Sequence, residues 1–210
     1  MAEIEYPSIE NVFFRDPVTH KLIEGKWRLP VFEYLKDNRW RPSEKIDGTN
    51  IRISADQDKP MLVFNGRTAN AQIPGTLLYK LQSIFSYEKW KEVFPTDFPM
   101  LYGEGFGPGI QKGGKYGPAV DFALFDVRSG NRWLSREEVA EIAQRLGIKA
   151  APEDHMPWMT LLDAIALVKA GVKSYYGDFI SEGLVVRPEM ELRDQYGQRV
   201  IAKIKHDDFA

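Results

Sequence analysis

Residues 45–54 read KIDGTNIRIS, and the first six of them decide how the rest of the chain is interpreted. The following run, residues 50–54, alternates polar and apolar side chains as a half-buried strand does. Asp47-Gly48 is a strong signal for a two-residue hairpin turn, in which Lys45 is an ordinary solvated lysine. A charged Lys-x-Asp-Gly is nevertheless unusual at the end of a structural strand. The segments further along the chain decide whether Lys45 is a solvated strand lysine or a functional one.

Several runs on either side of this segment predict a mixed fold. Further strands are predicted at residues 61–64, 120–127, 183–187 and 199–205. Helices are predicted at 31–36, at 75–85, from the capping box that starts at Ser135 to Gly147, and from Thr160 to Gly171. Because strands and helices do not alternate regularly, a doubly wound parallel sheet is disfavoured. The pattern indicates an α+β fold of antiparallel sheets with flanking helices.

A glycine-rich segment, residues 101–118, contains seven of the 17 glycines. Residues 109–115 match the GxxxxGK part of a P-loop, but Tyr116 stands where a Ser or Thr hydroxyl is required. The GxGxxG fingerprint is absent as well, since Gly103, Gly105 and Gly107 each fail at its last position. The sequence therefore predicts a surface loop here, or a loop that borders a site.

Six short motifs occur in an order that resembles the covalent nucleotidyltransferase superfamily of DNA ligases, RNA ligases and mRNA-capping enzymes. They are KIDGTN (45–50), NGRT (65–68), LYGE (101–104), DFALFD (121–126), SEGLVV (181–186) and AKIK (202–205). The segments YPSI (6–9), GEGFGPGIQKGGKYG (103–117) and DFALFDV (121–127) further resemble the phage nick-sealing RNA ligases. The resemblance implies the nucleotidyltransferase (ATP-grasp-like ligase) adenylation fold. We expect one such domain over residues 1–210, with no C-terminal oligonucleotide-binding or other accessory domain.

The same resemblance implies a role for each motif. Lys45 is expected to attack the α-phosphate of ATP and to carry AMP, and Glu182 is expected to bind Mg²⁺ or Mn²⁺. Two lysines on one face of a strand suit a shared phosphate. The other expected nucleotide contacts are Asp47, Gly48, Asn50, Arg67 (phosphate), Glu104 (ribose), Phe122 (base), Lys203 and Lys205 (phosphate). Phe125 lies at an odd separation from Phe122, so we expect it on the opposite face, in the core.

Composition limits the possible partners. The 28 basic and 30 acidic residues give a formal charge of −2, so a nucleic-acid partner must meet a local basic surface. The absence of cysteine excludes a disulfide framework and a thiolate metal site. Because no apolar run is long enough to span a membrane and the acidic residues 1–10 lack a signal-type apolar stretch, a soluble cytoplasmic protein is favoured, including a phage protein acting in its host. The expected substrate is nicked or broken RNA, with DNA or a hybrid still open. The sequence does not indicate the oligomeric state.

Three other functions compete with RNA ligation. A DNA ligase fits the same motifs, and a GTP-dependent capping guanylyltransferase uses the same lysine. A non-catalytic nucleotide-binding module is disfavoured because every expected catalytic position is filled. NAD⁺ is disfavoured because only 44 residues precede Lys45.

Overall fold

A computed structural model describes residues 4–68, 70–153 and 156–209. Across these residues it contains twelve strands, five α-helices and two short 3₁₀ helices, Gly113–Tyr116 and His206–Asp208. The strands are β1 (Glu10–Asn11), β2 (Phe13–Arg15), β3 (Leu22–Trp27), β4 (Trp40–Glu44), β5 (Thr49–Ala55), β6 (Leu62–Asn65), β7 (Met100–Phe106), β8 (Asp121–Ser129), β9 (Arg132–Trp133), β10 (Lys149–Ala150), β11 (Gly183–Pro188) and β12 (Ala202–Lys205). The helices are α1 (Pro30–Tyr34), α2 (Gly75–Ile84), α3 (Tyr87–Val93), α4 (Arg136–Leu146) and α5 (Leu161–Ala170).

The chain forms two compact units, which we name by their sheets. The six-stranded unit comprises Met1–Pro7 and Asp47–Ala151. Its strands run in the order β10-β8-β7-β5-β6, with β9 added on β8. One face of this sheet carries Ile51, Leu101 and Phe122 into a core shared with α2, α3 and α4.

The four-stranded unit comprises Ser8–Ile46 and Pro152–Ala210. Its strands run in the order β1-β12-β11-β4, and β2 and β3 form a separate pair. Leu184, Ile204 and Val168 contribute to its core, so α5 covers one face of the sheet. Most pairings in both units are antiparallel; the exceptions are the short pairings β1 with β12 and β10 with β8. The predicted α+β class with antiparallel sheets is confirmed.

Two helices begin where the sequence predicts. The Ser135 hydroxyl accepts a hydrogen bond from the Glu138 N–H, and the Glu138 carboxylate accepts from the Ser135 N–H. Thr160 makes the same reciprocal arrangement with Asp163 at the start of α5. Both capping boxes satisfy backbone donors that have no partner inside their helix, which fixes the starting residue.

The hairpin reading of Asp47-Gly48 is wrong. Strand β4 pairs with β11, whereas β5 pairs with β6 and β7, so the two strands that flank the turn belong to different sheets. The predicted strand at 199–205 is ordered as a strand only over Ala202–Lys205. The short elements β1 to β4, β9, β10 and α3 were not predicted, because segments of two to seven residues carry too few periods to identify. The prediction of a surface loop over residues 101–118 is wrong for its first part, because Met100–Phe106 form the inner, mostly buried strand β7. None of the helices in the described part of the chain is long and apolar enough to cross a membrane.

Candidate active site

Three charged side chains from distant parts of the sequence meet in the four-stranded unit. The Lys45 Nζ donates to Glu182 Oε2 at 2.5 Å, and the Lys205 Nζ lies 2.6 Å from Glu182 Oε1. The Glu182 side chain is 12% exposed, against 23% for Lys45 and 34% for Lys205. One nearly buried carboxylate therefore holds two ammonium groups, one on each oxygen.

Strand pairing determines the direction of the Lys45 side chain. The Lys45 N–H donates to the Gly183 carbonyl at 2.9 Å, which continues the pairing of β4 with β11 one residue past the end of β4. The preceding residue, Glu44, points into the core, where its carboxylate accepts from the Ser174 hydroxyl at 2.6 Å and the Tyr175 N–H at 2.8 Å. Since side chains alternate along an extended chain, burying Glu44 turns Lys45 to the other face.

Lys203 lies on the same face, which we call the lysine face and define by Lys45, Lys203 and Lys205. Ile204 is 1% exposed and belongs to the core, so its two neighbours in β12 point away from it. The prediction that Lys203 and Lys205 share a face is confirmed. The register also places Asn11 of β1 beside Lys203, a neighbour that sequence analysis missed.

The residue after Glu182 is Gly183, and the close approach of two strands explains why it is a glycine. A Cβ at this position would lie 2.0 Å from the Ile204 carbonyl oxygen, and the backbone φ of +148° is one that L side chains rarely adopt. The glycine lets β11 and β12 approach closely at the point where Glu182 and Lys205 meet. The Glu182 carbonyl then accepts from the His206 N–H at 2.9 Å, which fixes the residue on its other side.

The lysine face carries excess positive charge. Three ammonium groups and one carboxylate give a formal sum of 3 − 1 = +2 among Lys45, Lys203, Lys205 and Glu182. In a partly desolvated setting such a group attracts a polyanion more strongly than the same charges would in open water. A polyphosphate is the ligand that matches this charge and these donors.

A second set of predicted residues lies in the six-stranded unit. The register aligns Asn50 of β5, Glu104 of β7 and Ala123 of β8 in one row across the sheet. We call this side the Glu104 face. The Asn50 Oδ1 atom is buried and has no hydrogen-bond partner in the described part of the chain. An unsatisfied buried acceptor is costly, which favours a ligand that donates to it.

Gly48 allows the backbone at the start of β5 to lie against β7. A Cβ at Gly48 would be 2.3 Å from the Gly105 carbonyl oxygen and 2.9 Å from the Glu104 Cγ. Any larger residue would push the two segments apart. Gly48 is therefore required by the close approach of two backbones, which is a structural reason for the glycine of the motif.

The prediction that Phe122 stacks on a base is wrong. Its ring is fully buried in the core of the six-stranded unit and packs edge-on against Phe85 at 5.7 Å. The Phe122 ring also fills the space over Gly103, where a Cβ would lie 2.1 Å from its Cζ. Phe122 thus belongs to the core face, opposite the row that contains Glu104.

Phe125 lies on the Glu104 face. It is two residues from Ala123, and the register shift between Tyr102 and Gly103 leaves it as the extra residue of a bulge in β8. The ring is half-buried and contacts the ring of Tyr6 at 5.0 Å. The predicted opposite orientation of the two phenylalanines is confirmed, but the assignment of Phe125 to the core is wrong.

Hydrogen bonds secure the N-terminal segment on the same side. The Tyr6 hydroxyl donates to Asp126 Oδ2 at 2.6 Å, and the Tyr102 hydroxyl donates to the Ile4 carbonyl at 3.0 Å. The Tyr6 ring also packs against Tyr102 and Trp133. Burial raises the pKa of Tyr102 to about 12. These contacts hold Tyr6, and through its ring they hold Phe125.

Arg67 and Asp47 occupy loops of the six-stranded unit. Arg67 is exposed, two residues beyond β6, and its loop is anchored where the buried Arg52 Nε donates to the Gly66 carbonyl at 2.8 Å. The Asp47 N–H donates to the Tyr116 hydroxyl at 3.0 Å, which ties Asp47 to the glycine-rich loop at residues 107–117. That loop contains only a 3₁₀ turn, Gly113–Tyr116, and no helix that could serve a P-loop, as predicted.

The acidic residues suit a divalent cation that binds together with the phosphates of a substrate. Over residues 4–68, 70–153 and 156–209, no group of three or more His, Asp or Glu side chains could hold a metal ion. Glu182 offers one carboxylate beside the lysines. Mg²⁺ typically keeps several waters and binds one or two carboxylates together with substrate phosphates, which is the donor set available here.

Comparison with known proteins identifies relatives of this architecture. The family model described as RNA ligase matches residues 38–205. No curated protein matches the chain. The solved structures that match include Naegleria gruberi RNA ligase with PPi, at a TM-score of 0.70 and 18% identity over 98% of this chain and 57% of that chain.

A mutant of the same ligase with AMP and Mn matches at a TM-score of 0.70 and 17% identity, over 98% of this chain and 57% of that one. Another mutant, with ATP and Mn, matches at 0.65 and 18% identity, over 86% and 52%. The chain therefore spans little more than half the length of the ligase chains that it matches. At these identities the likeness shows the fold.

Proposed function

The chain belongs to the RNA ligase family, and we propose that it is an ATP-dependent polynucleotide ligase that joins RNA ends through a covalent lysyl-AMP on Lys45. The observation that carries the proposal is the contact of Lys45 and Lys205 with the two oxygens of Glu182. Lys45, Glu182 and Lys205 come from the first, fifth and sixth of the six motifs in order along the chain, and they lie on a face that also presents Lys203. A nucleophilic amine surrounded by phosphate-binding cations is what adenylation requires.

In the first step, the Lys45 nitrogen attacks the α-phosphorus of ATP. A P–N bond forms, the bond between the α-phosphorus and the bridging oxygen breaks, and diphosphate leaves with the bond's electron pair. Lys45 must lose a proton before it can attack. Glu182 Oε2, at 2.5 Å, is the acceptor within hydrogen-bond distance of that proton.

Lys203 and Lys205 are proposed to bind the phosphates and to stabilise negative charge that develops on them. Their placement on one strand face, two residues apart, keeps both ammonium groups near one phosphate group. Glu182 positions Lys45 and Lys205 at once, since each contacts a different oxygen of its carboxylate. The positive sum on the lysine face complements the charge of a triphosphate.

Residues of the Glu104 face are proposed to bind the nucleoside. Glu104 can accept hydrogen bonds from ribose hydroxyls, and the buried Asn50 Oδ1 supplies a further acceptor. Phe125, rather than Phe122, is the aromatic residue proposed to stack on adenine, because it is half-buried and lies on the same face as Glu104. Arg67 is proposed to contact phosphate through its planar guanidinium, and Asp47 and Gly48 to shape the segment that follows Lys45.

A divalent cation, Mg²⁺ or Mn²⁺, is proposed to bind with the nucleotide, with Glu182 as the protein carboxylate nearest to it. When bound, it would neutralise phosphate charge. Structures of Naegleria gruberi RNA ligase mutants hold ATP or AMP together with Mn, which supports this choice of nucleotide and cation. The donor set described above fits a cation carried by phosphates.

Two further steps complete the proposed reaction. The 5′-phosphate of a polynucleotide attacks the AMP phosphorus, the P–N bond breaks, and the amine of Lys45 is restored. The 3′-hydroxyl of a neighbouring end then attacks the 5′-phosphorus, a phosphodiester bond forms, and AMP leaves. Positioning of the two ends is the main requirement of the last step. Joining broken RNA ends in this way would serve RNA repair.

The proposal is tested by incubating the protein with ATP labelled at the α-phosphate and Mg²⁺, followed by a denaturing gel. We expect the label to remain on the wild-type protein and to vanish in Lys45→Ala. Lys173→Ala is the matched control, because Lys173 is an exposed lysine in the same unit and its ion-pair partner Asp178 is 94% exposed. This control should be labelled as the wild type is.

The alternatives give different results in the same assay. Labelling by GTP alone would identify a capping guanylyltransferase, and no covalent label from either nucleotide would refute the proposal. A panel of nicked RNA, nicked DNA, hybrid and single-stranded substrates then decides the polynucleotide. Sealing of DNA but not RNA would overturn the RNA assignment and leave the lysyl-AMP step intact.

A further inference from the structure

The glycine-rich loop at residues 107–117 carries local positive charge in an acidic protein. The nearest acidic residues in sequence are Glu104 on one side and Asp121 on the other, and two lysines, Lys112 and Lys115, lie between them. Both lysines are exposed, although the whole chain has a formal charge of −2. Asp47 packs against this loop, so Lys112, Lys115 and Asp47 give a formal sum of 2 − 1 = +1, which is the sign of charge that a nucleic-acid partner would need.

Packing fixes this loop to the segment that follows Lys45. The Tyr116 hydroxyl accepts from the Asp47 N–H at 3.0 Å, and the Tyr116 ring packs edge-on against Phe106 at 5.6 Å. A Cβ at Gly113 would lie 3.1 Å from the Asp47 carbonyl oxygen and 2.7 Å from the Gly107 nitrogen. Asp47 is two residues from Lys45, so the chain places their backbones within about 7 Å of each other.

We propose that residues 107–117 form a docking surface for the sugar–phosphate backbone of the polynucleotide, with Lys112 and Lys115 as its phosphate contacts. The inference rests on the proposed ligase function, because it requires a polynucleotide end to reach the nucleotide on Lys45. Glycines make the loop narrow enough for a phosphate backbone to approach closely. Its near-match to a P-loop is not a nucleotide site, since the turn at Gly113–Tyr116 is too short to present a helix N-terminus.

Contacts of this kind read phosphates and not bases. They should therefore be independent of sequence and sensitive to salt. Each neutralised phosphate contributes about 0.7 to 0.9 to the slope of log affinity against log salt. Two contacts account for a slope of about 1.4 to 1.8, which corresponds to an affinity change of about 25- to 60-fold between 1 M and 0.1 M salt.

The test compares a double variant, Lys112→Ala with Lys115→Ala, with a control of equal charge, Lys59→Ala with Lys89→Ala. Lys59 and Lys89 are exposed residues of the same unit. Lys59 lies in the turn after β5, whereas the glycine-rich loop follows β7 beside the first residue of β5, so the strand separates them by about 20 Å. Labelling by ATP is measured first, and binding of a 5′-phosphorylated, nicked RNA duplex is then measured across a salt series.

We expect the loop variant to accept label from ATP but to bind the nicked duplex about 25- to 60-fold more weakly at 0.1 M salt, with a shallower salt slope. The control should match the wild type in both assays. If the loop variant binds and seals the duplex as the wild type does, the docking surface is refuted while the ligase proposal stands. If the wild type takes no label from ATP, the ligase proposal fails first. A loss of binding equal in the loop variant and the control would also refute the docking surface, because only total charge would then matter.

Discussion

The assignment of Phe122 to the core and of Phe125 to stacking on adenine can be tested by measuring stability and ATP affinity. Phe122→Ala removes a fully buried ring and its edge-on contact with Phe85. Complete burial of a phenylalanine is worth about 1.5 to 3 kcal/mol, and an aromatic pair adds about 0.5 to 1.5 kcal/mol. With the cavity that remains, we expect a loss of about 3 to 5 kcal/mol in the free energy of unfolding.

Phe125→Ala should destabilise the fold less than Phe122→Ala does, and it should weaken the binding of ATP. Its half-buried ring contributes about half of that transfer term and one contact with Tyr6, so we expect a stability loss of about 1 to 3 kcal/mol. Stacking of a base on an aromatic ring is worth about 1 to 3 kcal/mol, which corresponds to an increase of about 5- to 150-fold in the dissociation constant for ATP.

Urea unfolding measures the first effect, and ATP binding by the folded protein measures the second. Phe122→Leu is a milder companion that keeps most of the buried volume and remains measurable should Phe122→Ala not fold. The assignment is refuted if the Phe122 variants keep wild-type stability and lose ATP affinity. It is equally refuted if Phe125→Ala binds ATP with unchanged affinity.

Three further changes test the architecture around the site. Gly183→Ala places a Cβ 2.0 Å from the Ile204 carbonyl oxygen. We therefore expect a loss of about 3 kcal/mol or more in the free energy of unfolding by denaturant, together with reduced labelling by ATP. Wild-type stability would show that β11 and β12 do not need this glycine. Ser135→Ala removes the N-cap of α4 and should cost about 1 kcal/mol in the same measurement, while ATP labelling stays unchanged; an unchanged unfolding midpoint would contradict the role of the capping box. Burial raises the pKa of Tyr102 to about 12, from an ordinary value of about 10, so its neutral form adds stability that is complete below about pH 10 and is lost as the pH rises toward about 12. Tyr102→Phe should reduce that alkaline loss in unfolding experiments, and an identical pH profile in both proteins would argue against burial of this phenol.

Much of the site could be predicted because its residues sit in short motifs. Lys45, Glu182 and Lys205 were expected together from motif order, and the structure brings them into contact. The shared orientation of Lys203 and Lys205 followed from strand alternation alone. The capping boxes at Ser135 and Thr160 were local signals and were correctly located.

What could not be predicted depends on pairing between distant strands. Alternation placed Phe122 and Phe125 on opposite faces, but only the register of β8 with β7 shows which of them shares a face with Glu104. Asn11 stands beside Lys203 because β1 pairs in parallel with a strand near the other end of the chain. The spacing of the motifs does not indicate that contact. The hairpin reading of Asp47-Gly48 failed for the same reason, since a turn signal does not specify which sheet each flanking strand joins.

The position of the covalent bond is the most direct test of the central claim. After incubation with ATP and Mg²⁺, the protein is digested and its peptides are analysed by mass spectrometry. We predict a single AMP adduct, on Lys45, through a P–N bond that is stable to base and labile to acid. An adduct on Lys203 or Lys205, or a folded protein that carries no adduct, would contradict the claim that Lys45 is the nucleophile.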